Sequence, residues 1–174
     1  GHKMIADLIC NLLDTEYSYY KKLGAEKKPS LPEPFTASRY EDAQRFQNYS
    51  CSPVMEGFEP DTHAAEQWSD TFKGGWIAHK QGSCIKFNVS GSIIMLQYRK
   101  TINKPAPVAY AVIDGDRQNK VLLDANFDED WGDLCCLEEI YSGAKGEHTV
   151  EIVIDTEGKE NSDFMLISVI TANK

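Results

Sequence analysis

Between Cys84 and Asp114 the chain carries three apolar runs separated by turn residues. Cys84-Ile-Lys-Phe-Asn-Val89 alternates apolar and polar positions, Ser90-Gly91 interrupts it, and Ile93-Ile-Met-Leu-Gln-Tyr98 follows as a denser run. After a break at Pro105 and Pro107, Val108-Ala-Tyr-Ala-Val-Ile113 leads into Asp114-Gly115. A strand turns successive side chains to opposite faces, so this period of two predicts strands. The same reading predicts short strands at 45–50, 54–58, 65–72, 76–79, 83–89, 92–99, 108–114, 119–124, 134–141, 147–155 and 163–172. Turn chemistry separates them at Gly74-Gly75, Gly82, Gly91, Pro105 and Pro107, Asp114-Gly-Asp116, Gly143 and Gly146, and Glu157-Gly158. The last two strands alternate with Val150, Ile152 and Ile154, then with Phe164, Leu166, Ser168 and Ile170. No helical pattern separates the strands. The expected fold is mainly β, an antiparallel β-sandwich of jelly-roll type, rather than an alternating α/β sheet.

The first 24 residues differ. Met4, Ile5, Leu8, Ile9, Leu12 and Leu13, extended by Tyr17, Tyr20 and Leu23, recur at i, i+3 and i+4, which predicts an amphipathic helix over 3–23. Asp7 is expected in its first turn, Lys21 and Lys22 in its last, and Gly24 at its end. Residues 25–36 hold three alternating prolines, each of which blocks a helix and stiffens the chain. This sets a linker over 25–44, with a sandwich domain over 45–174. Ser38-Arg-Tyr-Glu41 matches a capping box and predicts a short helical turn at 38–44.

Composition narrows the partners. Hydrophobic residues make up 41% of 174, enough for a core, while the net charge is −9 and the pI about 4.9. That balance argues against nucleic acid or an anionic membrane, which both require positive charge. Five cysteines (Cys10, Cys51, Cys84, Cys135, Cys136) leave at least one unpaired, which favours a reducing, cytoplasmic setting. None has metal-ligand spacing with His2, His63, His79 or His148. The first methionine is the fourth residue, so the sequence reads as a piece of a longer protein.

No complete catalytic set is present. A Ser–His–Asp arrangement needs a serine on a strained turn with oxyanion donors, and no Gly-x-Ser-x-Gly occurs. Asp114-Gly-Asp-Arg-Gln-Asn119 has oxygens at positions one, three and six of a calcium loop but lacks the downstream bidentate Glu, and a hairpin turn explains it equally. Asp124, Asp128, Glu129, Asp130 and Asp133 read as a solvated acidic loop. No metal site and no cofactor is expected. The aromatic residues carry the ligand hypothesis, because sugar rings dock their C–H faces on Trp and Tyr while neighbouring Asp, Asn or Gln accept hydroxyl hydrogen bonds. Trp68, Trp76 and Trp131 lie near predicted turns or strand ends. Trp131, within Asn126-Phe-Asp-Glu-Asp-Trp131, leads the candidates, followed by Trp76, Tyr98 and Asp114.

The opening Gly1-His2-Lys-Met-Ile-Ala-Asp-Leu-Ile9 resembles the end of an SGNH (GDSL-type) hydrolase domain, where the catalytic Asp-x-x-His motif is followed by Gly-His or a similar pair and a closing helix. Leu31-Pro-Glu-Pro-Phe-Thr-Ala-Ser-Arg-Tyr40 is similar to the tail joining such enzymes to an accessory domain. Cys84-Ile-Lys-Phe-Asn-Val-Ser-Gly-Ser-Ile-Ile-Met-Leu, Ala111-Val-Ile-Asp-Gly115 and Gly146-Glu-His-Thr-Val-Glu-Ile152 resemble the accessory jelly roll of carbohydrate esterase family 2. The resemblance implies a C-terminal accessory sandwich, preceded in residues 1–24 by the last helix of an SGNH catalytic domain. Every catalytic block of that family would lie before residue 1, so no catalytic residue carries over and the chain itself is not expected to be an enzyme. The implied partners are the SGNH catalytic domain and a glycan, with a homo-oligomer through helix 3–23 as a further expectation. The rival expectation is a domain that braces the catalytic domain or mediates oligomerisation with no ligand of its own.

Overall fold

A computed structural model describes residues 1–23, 38–40, 42–63, 71–160 and 162–173. The chain divides into two compact units, Gly1–Ala37 and Ser38–Lys174. The predicted linker falls largely outside the described residues, as do Gly24, Trp68 and most of the strand expected at 65–72, whose described end at 71–72 is a turn.

In the first unit, helix α1 spans His2–Leu23. Because it begins at His2, Asp7 lies in the second turn rather than the first, where it pairs with Lys3 at 3.1 Å, an i,i+4 contact. Lys21 and Lys22 occupy the last turn as expected and complement the carbonyl end of the helix dipole. The apolar stripe is exposed, with Met4 and Leu8 each at 72%.

Among its described residues the second unit contains nine strands: β1 Gln44–Phe46, β2 Val54–Glu56, β3 Phe58–Pro60, β4 Trp76–Ala78, β5 Cys84–Lys100, β6 Val108–Ile113, β7 Val121–Asp124, β8 Leu134–Thr156 and β9 Phe164–Ala172. They form an antiparallel ladder in the order β3-β4-β9-β5-β8-β6-β7, with β1 beside β9 and β2 beside β5. Strands β5 and β8 are shared between two layers. Residues 93–100 of β5 pair with 134–142 of β8 and lie beside β9. Residues 84–91 of β5 pair with 146–153 of β8, with β2 on the other side of 84–86 and β6 on the other side of 150–156. One apolar cluster joins Phe87, Ala109, Leu123, Val150 and Ile152 from the second layer to Trp76, Leu96, Tyr98, Phe164 and Leu166 from the first, so the core sits between the layers. Each fully buried Ile, Leu or Phe there contributes about 1.5–3 kcal/mol relative to exposure.

The structure corrects three sequence expectations. Ser90-Gly91 and Gly143–Gly146 do not end strands. They are the bend at which β5 and β8 pass from one layer to the other. Gly91 pairs with Gly146 and Ile93 with Ser142, so three residues of β8 oppose one of β5. A Cβ on Gly91 would meet the Ala172 and Ile93 carbonyls, each at 3.2 Å, which explains a glycine at this close approach. The phase of β9 also slips. Gln97 faces Ser168 and Tyr98 faces Leu166, leaving Ile167 as the extra residue. Phe164, Leu166 and Val169 therefore enter the main core, and Ile170 joins a second cluster of Ile93, Met95 and Ala172. Ser168 is buried, donates to Gln97 Oε1 at 2.7 Å and accepts from Arg45 Nε at 3.0 Å. Finally, no helical turn forms among the described residues of 38–44. The Ser38 hydroxyl accepts from the Tyr40 N–H at 3.2 Å in a local turn, and β1 begins at Gln44.

Candidate functional site

Three connections gather at the end of the sandwich where β5 and β7 finish and β8 begins: 101–107, 124–133 and 157–163. The Lys159 N–H donates to the Pro105 carbonyl at 2.8 Å, joining the first to the third. The first and second are joined by Thr101, whose N–H donates to the Ala125 carbonyl at 2.8 Å and whose carbonyl accepts from the Phe127 N–H at 3.0 Å. Arg99 reaches both outer loops, with Asp133 Oδ2 at 3.7 Å and the Asp163 carbonyl at 3.4 Å.

The 124–133 loop is tied down at its start. The Asn126 backbone N–H and its Nδ2 both donate to Asp124 Oδ1, at 2.9 and 2.6 Å, and its Oδ1 accepts from the Ala106 N–H at 2.9 Å. Lys104 pairs with Asp128, which holds that carboxyl below the usual carboxylate range. Beyond this base the loop turns outward and exposes Asp128, Glu129, Asp130 and Trp131. Trp131 is 64% exposed, yet its ring meets Phe127 edge to face, 5.1 Å between centroids at 86°. The result is a solvent-facing indole, braced by a half-buried aromatic and preceded in the chain by three exposed carboxylates. That combination can hold a sugar through C–H contact on the ring and hydroxyl donation to the carboxylates.

The other predicted site residues lie elsewhere. Trp76 is 1% exposed and packs edge to face on Phe87 at 5.0 Å. Tyr98 is 2% exposed and stacked on Phe164 at 5.8 Å, and burial, with its hydrogen bond to Cys136, pushes its hydroxyl far above the ordinary value. Neither presents a ring face to a ligand. Trp76 is a candidate by its place near a turn and Tyr98 by its place at a strand end, but the pleat points both into the core. Asp114 lies beyond the far end of β6, whose Val108 pairs with Asp124 at the Trp131 end. Its Oδ1 accepts from the Thr149 N–H at 2.8 Å and its Oδ2 contacts His148 Nδ1 at 2.8 Å, so both oxygens are committed within the fold. These two bonds, that from His148 first, hold its carboxyl below the usual range.

Asp116 accepts from the Gln118 and Asn119 backbone and from Asn119 Nδ2, closing the turn between β6 and β7. Among the described residues no group of three or more His, Cys, Asp or Glu side chains is arranged to hold a metal ion. Sequence reasoning missed Asn126, Lys104 and Arg99 as the residues that position the loop. Asp-x-Asn at 124–126 carried a usable signal, since an Asx side chain commonly bonds two residues on.

No family model matches the chain, and neither does any curated protein. Among solved structures, a two-domain esterase (CEX) active on acetylated mannans is 40% identical, with a TM-score of 0.77 over 86% of this chain. The same esterase co-crystallised with mannopentaose matches 100% of this chain at 40% identity and a TM-score of 0.79. The chain is a β-sandwich accessory domain of the SGNH-esterase kind. It spans 41% and 46% of the lengths of those two esterase chains. A family two carbohydrate esterase from Cellvibrio japonicus shares the fold at 15% identity, with a TM-score of 0.54 over 76% of this chain.

Proposed function

We propose that this chain is the non-catalytic accessory domain of a carbohydrate-active SGNH esterase, and that its 124–133 loop binds glycan or forms one wall of the substrate cleft. The single observation that carries this reading is Trp131, a large indole kept in solvent on an anchored loop. A sugar face fits the shape of the exposed indole, and the carboxylates next to it in the chain can accept hydroxyl protons. The esterase active on acetylated mannans supports a mannan-type polysaccharide as the substrate of the parent protein.

Residues 1–24 are, in this reading, the last helix of the catalytic domain. Its exposed stripe of Met4, Ile5, Leu8, Ile9, Leu12 and Leu13 supports a catalytic-domain surface as its partner. A bracing role for the sandwich draws support from the same stripe and is compatible with glycan contact at Trp131.

The test uses the full-length esterase. Trp131→Ala should lower kcat/KM on acetylated mannan and leave hydrolysis of a small acetate ester unchanged. Equal activity of both proteins on the polymer would remove the glycan role and leave bracing alone.

A further inference from the structure

On the outer face of the second layer, β6 and β8 form a recess of about 170 Å³ lined by Tyr110, Val112, Arg117, Lys120, Val153 and Asp155. Strand alternation places it there. Ala109 and Ala111 of β6, with Ile152 and Ile154 of β8, enter the core, so the residues between them face outward. Val112 is buried even on this outer face. The floor is therefore apolar and aromatic, and the rim is charged.

The charge is opposite in sign to that of the chain as a whole. Two cations and one carboxylate line the recess in a protein of net charge −9. Arg117 is held with one amino group 2.9 Å from Glu151 Oε1, and the other Glu151 oxygen receives Lys86 at 2.6 Å. Glu151 is thus already engaged by two cations. Lys120 forms no ion pair among the described residues, and its ammonium lies 3.5 Å from the centroid of the Tyr110 ring. An aromatic face holds a cation in place without neutralising it.

We propose that this recess is a second ligand site, separate from the Trp131 loop, and that it takes a carboxylate-bearing sugar unit. The carboxylate lies between Lys120, held over the Tyr110 face, and Arg117, the ring C–H surface rests on Val153 and the edge of Tyr110, and Asp155 accepts a hydroxyl proton. A neutral sugar satisfies the floor and Asp155 but leaves the Lys120 charge unanswered. The free volume suits one sugar ring, so the unit recognised is a single acidic residue or side branch.

The experiment is an amide-shift titration of the isotope-labelled chain with methyl β-D-glucuronoside, and in parallel with methyl β-D-glucoside. The glucuronoside should shift Tyr110, Val112, Lys120 and Val153 and bind at least about tenfold more tightly than the glucoside, the worth of one charge-assisted contact. Lys120→Ala should remove that preference, Lys120→Arg should keep it, and Trp131→Ala should leave it unchanged. Lys120 is exposed, so these variants retain the fold. Equal affinity for the two glycosides, shifts confined to 124–133, or an undiminished preference in Lys120→Ala would each overturn the proposal. Loss of mannan recognition through Trp131 would leave it untouched, because the two sites are read by different ligands and different amides.

Discussion

Phe127 and Trp131 meet edge to face, 5.1 Å between ring centroids, four residues apart on a loop whose acidic tip is otherwise in solvent. The pair fixes the direction of the indole. An edge-to-face contact of this kind is worth about 0.5–1.5 kcal/mol beyond the area it buries. Phe127→Ala should therefore weaken glycan binding by about 1 kcal/mol, roughly fivefold, while the sugar-contacting ring remains present. Tryptophan fluorescence anisotropy reads the cause directly, since it should fall in the variant as the ring gains freedom.

Trp76 should behave in the opposite way. Its ring is sealed between the layers against Phe87, so Trp76→Ala removes core volume rather than a binding surface. Chemical denaturation should show a loss of about 3–5 kcal/mol. Whatever fraction remains folded should bind glycan with unaltered affinity.

Gly75 lies where β4 closes on β9. A Cβ there would sit 2.0 Å from the Leu166 carbonyl oxygen and 2.8 Å from the Ile167 Cα, both backbone atoms that cannot swing away. Gly75→Ala should force the two strands apart at a cost of about 1–3 kcal/mol or more. Hydrogen exchange should show the loss of protection spreading from β4 and β9.

Asp114 predicts a pH dependence. Its carboxyl is held below the ordinary value by His148 and by the Thr149 N–H. A carboxylate with a depressed folded value stabilises the fold above its unfolded value of about 3.9, and that contribution is lost as pH falls through the lower folded value. Asp114 is 49% exposed, so the effect is modest. The acid limb of a stability–pH profile should flatten in Asp114→Asn. Near neutral pH, Asp114→Val should cost more than Asp114→Asn, because the residue sits at φ 51°, which β-branched side chains tolerate poorly.

The particular residues explain what could be read in advance. The outward–inward alternation of Ile85, Phe87 and Val89, and of Val150, Ile152 and Ile154, is local, and each of these six is buried as its phase requires. The helix over 2–23 was legible for the same reason, since its stripe repeats every turn. The bend at Gly91 was not. A glycine that ends a strand and one that lets a strand pass close to Ala172 look alike until the partner strand is known. Trp76 and Tyr98 failed as ligand candidates for a related reason, because which face of the sheet is covered depends on the second layer. The exposure of Trp131 was legible because its acidic neighbours are poor core formers.

The most direct test of the account is calorimetric titration of the chain with mannopentaose, alongside Trp131→Ala with its folded state checked by circular dichroism. The account predicts measurable binding that Trp131→Ala weakens by at least about tenfold with the spectrum unchanged. Undiminished binding in a folded Trp131→Ala protein would contradict it, and so would the absence of any heat with the native chain.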